Sequence, residues 1–169
     1  MIMDMKKALE VVNILEKEGI IGRYAIGGAM AAVFYAEPVS TFDVDIFISF
    51  TPTASGLISL SPLYEALARR GYQESGEYVE IEGIPVQFLP AYNALIEEAL
   101  AEAVDVMYGT TPTRVLRAEY LIAIALQTGR PKDRGRVEML RTQTPLDIAM
   151  LDTILAHYGL KRKWETWNR

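Results

Sequence analysis

The chain has 169 residues, 50% of them hydrophobic, and a formal net charge of −5. That length and apolar content suit one domain with a substantial core, and the acidic balance argues against a protein that coats nucleic acid. The absence of cysteine excludes disulfides, thiolate metal sites and cysteine nucleophiles, and the single histidine, His157, excludes any site that needs two imidazoles.

Residues 4–18 read as an amphipathic helix, with Met5, Leu9, Val12 and Leu15 on one stripe, Asp4 as its cap and Gly19 as its stop. The start carries charges where a secretory leader would be apolar, and no apolar run reaches the ~18 residues of a membrane helix. A soluble, cytoplasmic protein is therefore expected. Ile20 to Ile26 lead into a short strand ending at Gly27 and Gly28, where the backbone can turn sharply and approach a ligand. A helix from Ala29 to Ala36 follows, its N–H groups aimed at the same place, and Pro38 ends it.

Then comes Phe42-Asp43-Val44-Asp45-Ile46-Phe47, a strand signal. Side chains two apart on a strand share a face, so Asp43 and Asp45 project together while Phe42, Val44, Ile46, Ile48 and Phe50 line the other side. Two carboxylates on one face of a buried strand are costly without a cation between them. Mg²⁺, commonly held by one or two carboxylates plus substrate phosphates, is the natural candidate, with Mn²⁺ as its substitute.

Residues 51–60 read as a loop, and Ser61-Pro62 open a helix that ends at Gly71, with Leu63, Leu67 and Ala68 inward. Tyr72 to Glu82 and Ile84 to Leu89 form a hairpin about Gly83, and Pro90 ends its second arm. Residues 92–104 are helical. Val104 to Tyr108 and Thr113 to Leu116 are short strands about a turn at Gly109. The rest is helical: 117–128 ending at Gly129, a helix opened by Pro131, and a final helix to about Tyr158 started by Thr144, Pro145 and Asp147. The basic, aromatic tail KRKWETWNR is partly ordered by Trp164 and Trp167. The pattern predicts an α/β (α+β) fold, a small mixed sheet backed by helices, with residues 1–116 as the core and 117–169 as a helical part packed on it.

Gly27-Gly28, a short helix and Thr41-x-Asp43-x-Asp45 on a strand resemble the nucleotidyltransferase superfamily of the DNA polymerase β type. More narrowly, the stretch is similar to small bacterial and archaeal proteins related to the AbiEii toxins. The resemblance implies that Gly27, Gly28 and Thr41 face a nucleoside triphosphate and that Asp43 and Asp45 hold Mg²⁺. It implies transfer of a nucleoside monophosphate to a hydroxyl of RNA, a protein or a small molecule. Arg130-Pro131-Lys132-Asp133 after an apolar helix is similar to a segment of the toxin-like relatives. That likeness places Lys132 at the triphosphate and makes Asp133 a helper carboxylate, as a base or as a support for Lys132.

Two positions depart from the family pattern. Val39 stands where relatives often have arginine, and Gln87 stands where a third acid is expected. A neutral amide neither supplies charge nor takes a proton; Glu80 or Glu82 would have to substitute. A second function class follows: a catalytically degenerate relative acting as a nucleotide-binding, partner-binding or antitoxin-like module. Homodimerisation is carried as one candidate assembly. Plainer readings stand beside these. The aspartates could guard a sheet edge, Pro131 and Asp133 suit a helix start on capping grounds alone, and Arg130, Arg134 and Arg136 could form a solvated face.

Overall fold

The computed structural model describes residues 4–35, 43–50 and 59–169. Their elements run α1 (Lys6–Lys17), β1 (Tyr24–Gly27), α2 (Gly28–Ala32), β2 (Val44–Ile48), α3 (Ser61–Arg69), β3 (Glu74–Ser75), β4 (Tyr78–Ile81) and β5 (Ile84–Pro90). The chain continues through α4 (Ala94–Ala101), β6 (Val104–Tyr108), β7 (Thr111–Val115), α5 (Ala118–Thr128), α6 (Pro131–Gln143), α7 (Ile148–His157) and α8 (Lys161–Trp167). The strands form one sheet in the order β3-β4-β5-β2-β1-β7-β6. β2–β5 and β1–β7 are parallel and the other pairs antiparallel, so the mixed α/β architecture is as expected.

Register is what matters for the site. In the antiparallel β1–β2 pair, Gly27 lies opposite Asp45. In the parallel β2–β5 pair, Asp45 lies beside Gln87. The β4–β5 pairing of Val79 with Val86 continues that row to Tyr78. Side chains in a row across neighbouring strands share a face. Val44, Ile46 and Ile48 are buried on the opposite face, as alternation requires, but Phe47 on the aspartate face is buried as well. β2 is a central strand covered on both sides.

Helix α5 explains the second cover. Every residue from Ala118 to Leu126 except Ile124 is buried, and the helix packs against α2, α4, α6 and α7. A helix apolar nearly all round belongs in a core. It enters just after Leu116, whose N–H donates to the Ile26 carbonyl beside the glycine pair. Below the sheet, α1 buries Leu9, Val12 and Leu15 as its spacing predicts. Arg114 pairs with Glu16, and the buried Tyr24 hydroxyl bonds Asn13 and Thr113, pinning α1 to β1 and β7.

Several local expectations are corrected. The helix after the glycines begins at Gly28 and is α-helical only to Ala32; Phe34 and Tyr35 then donate three residues back, in tighter turns. Pro38, Phe42, Thr41 and most of the 51–60 loop lie outside the described residues. In α3 the inward alanine is Ala66, not Ala68. Position 68 lies five residues from Leu63 and so falls on the far side of a 3.6-residue turn. The run from Tyr72 to Glu82 is two strands, β3 and β4, broken at Gly76. The hairpin at Glu82-Gly83 is as expected. Both residues have positive φ, the form whose twist matches the flanking strands. Thr144 closes α6 and donates to the Tyr35 carbonyl, while Asp147 alone caps α7 through the Met150 N–H. The tail forms a further helix, α8, with Trp164 and Trp167 packed against the core.

Candidate active site

The glycine pair is dictated by close approach. A Cβ on Gly27 would run into the Phe47 ring. Gly28 has φ +60, and a Cβ there would overlap Asp45 Oδ2. Glycine alone meets both demands. Gly28→Ala is expected to cost about 1–3 kcal/mol from the left-handed backbone and to displace the Asp45 carboxylate. Chemical denaturation checks the first effect.

Asp45 is the centre of the site. Its Oδ1 is buried and meets no hydrogen-bond partner. Burial raises its carboxyl pKa, and the neighbouring Asp43 raises it further, against the pull of Arg136, Arg130 and Lys132. A buried carboxylate oxygen without a partner is unfavourable by itself and well suited to a cation. Asp43, just before β2, and Gln87, beside Asp45 on β5, are half-buried. Two carboxylates and an amide oxygen are hard donors that fit one Mg²⁺ or Mn²⁺, leaving positions for phosphate oxygens and water. No cluster of three or more His, Cys, Asp or Glu side chains suited to a metal occurs among the described residues. Glu80 does not complete one: its strand partner is Pro85 and its side chain is exposed. Nor does Glu82, which accepts a hydrogen bond from the Tyr72 hydroxyl.

The far wall comes from the start of α6. Arg130, Asp133 and Arg136 line the same cleft as Gly28, Asp45 and Gln87. The Asp133 side chain is 1% exposed and accepts from the Arg130 backbone N–H (3.0 Å), Arg130 Nε (2.9 Å) and Arg136 Nη1 (3.2 Å). It therefore caps α6 and clamps two arginines. The expected support for Lys132 is not what it provides: both its oxygens are given to Arg130 and Arg136, and Lys132 is exposed. Of the three cations acting on Asp45, Lys132 is the weakest and Arg136 the strongest. Thr41 lies outside the described residues.

Four site residues went unread in the sequence. Arg130 and Arg136, candidates for a solvated face by sequence, sit three residues either side of Asp133, a spacing that lets both reach it. Tyr78 stands in the row of Asp45 and Gln87, and Asp43 and Asp45 both disfavour its ionisation. Tyr92, just past β5, lines the cleft and is 65% exposed. Only strand register and tertiary packing bring these two tyrosines to the aspartates.

No protein-family profile matches the sequence, and no curated protein matches it significantly. Solved structures do. ANT(2'')-Ia in complex with adenylyl-2''-tobramycin superposes with TM-score 0.53 at 17% identity, over 93% of this chain and 98% of that one. An antigenic nucleotidyltransferase-like protein from Paracoccidioides brasiliensis gives TM-score 0.55 at 14% identity, over 94% and 88%. The solution structure of the antibiotic-resistance factor ANT(2'')-Ia gives 0.52 at 16%, over 94% and 95%. The chain thus has a nucleotidyltransferase-like fold. No helix among the described residues is long and apolar enough to cross a membrane.

Proposed function

We propose that the protein binds a nucleoside triphosphate with one divalent cation, Mg²⁺ or Mn²⁺, and transfers the nucleoside monophosphate to a hydroxyl acceptor. The observation that carries this reading is the buried, unpartnered Asp45 Oδ1, on a carboxylate whose other oxygen, Oδ2, lies against Gly28 of the glycine turn. Asp43 and Asp45 would hold the cation, with the Gln87 amide oxygen as a weak third donor. Gly27 and Gly28 let the backbone come close to the phosphates. Arg130, Lys132 and Arg136 place positive charge opposite the acids, where a triphosphate needs it. Helix α2 has five residues, so its dipole adds little. Thr41 stays on the phosphate side by its sequence resemblance alone.

When bound, the cation would neutralise phosphate charge and orient the α-phosphate. The acceptor oxygen bonds to the α-phosphorus and pyrophosphate leaves. Gln87 cannot take the acceptor's proton, so turnover is expected to be slow and to rise with pH as the acceptor ionises. The neighbouring structure with adenylyl-2''-tobramycin supports a small hydroxyl-bearing acceptor. RNA and protein hydroxyls remain candidates, and the AbiEii-like resemblance supports a protein partner.

A second reading rests on one observation, that no metal-suited cluster of three carboxylates occurs among the described residues. In it the same site binds nucleotide without turnover and the protein acts as a regulatory or antitoxin-like module. Incubation with each α-labelled triphosphate, Mg²⁺ or Mn²⁺, and total tRNA, protein or aminoglycoside separates the two. Transfer that disappears in Asp45→Asn is the expected result. Binding without transfer to any acceptor class selects the second reading.

A further inference from the structure

The cleft over Asp45 changes chemistry along its length. Asp45 and Gln87 share one row of the sheet, and Phe47 and Leu89 share the row two residues further on. Two residues of strand span about 6–7 Å. Beyond the acids the floor is therefore apolar, and Leu121 and Ile124 of α5 extend it. Tyr92 stands at the rim, past the end of β5, largely exposed. Cations and phosphates have no use for such a surface, but a molecule whose phosphates sit at Asp45 carries its nucleoside only a few ångströms away. The cleft holds about 170 Å³. That is below the ~300–1,000 Å³ of a pocket enclosing a whole small ligand, so it would enclose only part of one.

Polar groups at this end are few and mostly engaged. The Thr128 hydroxyl donates to the Ile124 carbonyl (2.9 Å). Asn93, next to Tyr92, accepts from the Ile96 N–H (2.9 Å) and donates to Gln127 (2.9 Å). A base edge entering here finds little to pair with.

We propose that the apolar end of the cleft, walled by Tyr92, seats the nucleobase of the triphosphate and does so without reading its identity. The proposal rests on the phosphate site described above. Affinity at this end comes from stacking and burial, which grow with ring size and are blind to edge groups. Purines should exceed pyrimidines, and adenine and guanine should be equivalent.

Isothermal titration with Mg²⁺ and α,β-imido analogues of ATP, GTP, CTP and UTP tests this, with inorganic tripolyphosphate as the base-free probe. Expected are ATP and GTP analogues within about threefold of each other and tighter than the pyrimidines. Tyr92→Ala should weaken all four nucleotides, the purine analogues by about tenfold, and leave tripolyphosphate unchanged. Tyr92→Trp should restore them. The proposal is overturned if Tyr92→Ala leaves nucleotide affinity intact, or if one purine binds more than about thirtyfold tighter than the other. Tripolyphosphate binding as tightly as the nucleotides overturns it while the phosphate site stands. Failure of nucleotides and tripolyphosphate alike removes the phosphate site and this proposal together.

Discussion

Asp45→Asn is expected to make the ligand-free protein more stable and the protein unable to bind a metal–nucleotide complex. The two effects have one cause. Asp45 Oδ1 is buried without a partner, and Asp43 stands beside it with like charge. Its folded pKa lies above its unfolded value, so ionisation opposes folding. The contribution of Asp45 is fully favourable below the unfolded carboxylate pKa and is lost as pH rises through the raised folded pKa. Wild type and Asp45→Asn should therefore melt alike in acid and diverge towards neutral pH, the variant ahead by about 1–3 kcal/mol, the cost of an unpaired buried group. For a chain of this size that is roughly 2–4 °C per kcal/mol. A melting series from pH 4 to 8 checks it. Asp45→Asn melting below wild type at pH 7 without ligand would show that Asp45 is internally compensated and has no need of a cation.

The second large effect is at Asp133. Its carboxylate is almost wholly buried between Arg130, which is 51% exposed, and Arg136, which is 16% exposed. Removing the buried partner of a charge pair costs about 3–5 kcal/mol. Solvent screening of Arg130 lowers that here, and Asp133→Ala is expected to cost about 2–4 kcal/mol. The α6 cap is lost in the same step, because the Arg130 N–H loses its acceptor. Asp133→Asn keeps the shape and an acceptor but not the charge, and should fall between. Arg130→Ala removes an exposed partner and should cost under about 1 kcal/mol. Urea denaturation of the three variants checks this order. Equal losses for Asp133→Ala and Arg130→Ala would mean that the clamp does not hold the helix start. Nucleotide affinity should fall for all three, since each loosens or removes the positive wall facing Asp45.

How much was legible follows from range. Gly27, Gly28, Asp43 and Asp45 sit within nineteen positions of one another and announce themselves by type and spacing. Gln87 is singled out by the family resemblance alone, and strand pairing sets it beside Asp45. Arg136 acts on Asp45 from a helix far along the chain, and no local period carries that information. Asp133 stands out in the sequence as an acid at a helix start, while its partners, Arg130 and Arg136, are fixed by the fold. The i,i+3 spacing to both arginines allows these pairs, but it does not choose them over the adjacent lysine. The break at Gly76 carried a turn signal, Ser75-Gly76, inside a run that otherwise read as one strand. Tyr78 and Tyr92 required the sheet order, which sequence patterning does not supply. The alternation of strands and helices and most helix ends follow from apolar period, glycine stops and the Asp147 cap.

The central claim is that Asp43 and Asp45 with the glycine turn bind a triphosphate through a divalent cation. Melting the wild type with an α,β-imido triphosphate, with and without Mg²⁺, tests it most directly. Binding to the folded state alone raises the melting temperature. The account predicts a rise that needs nucleotide and Mg²⁺ together and is absent in Asp45→Asn. No rise with both present, or the same rise in Asp45→Asn, would contradict it.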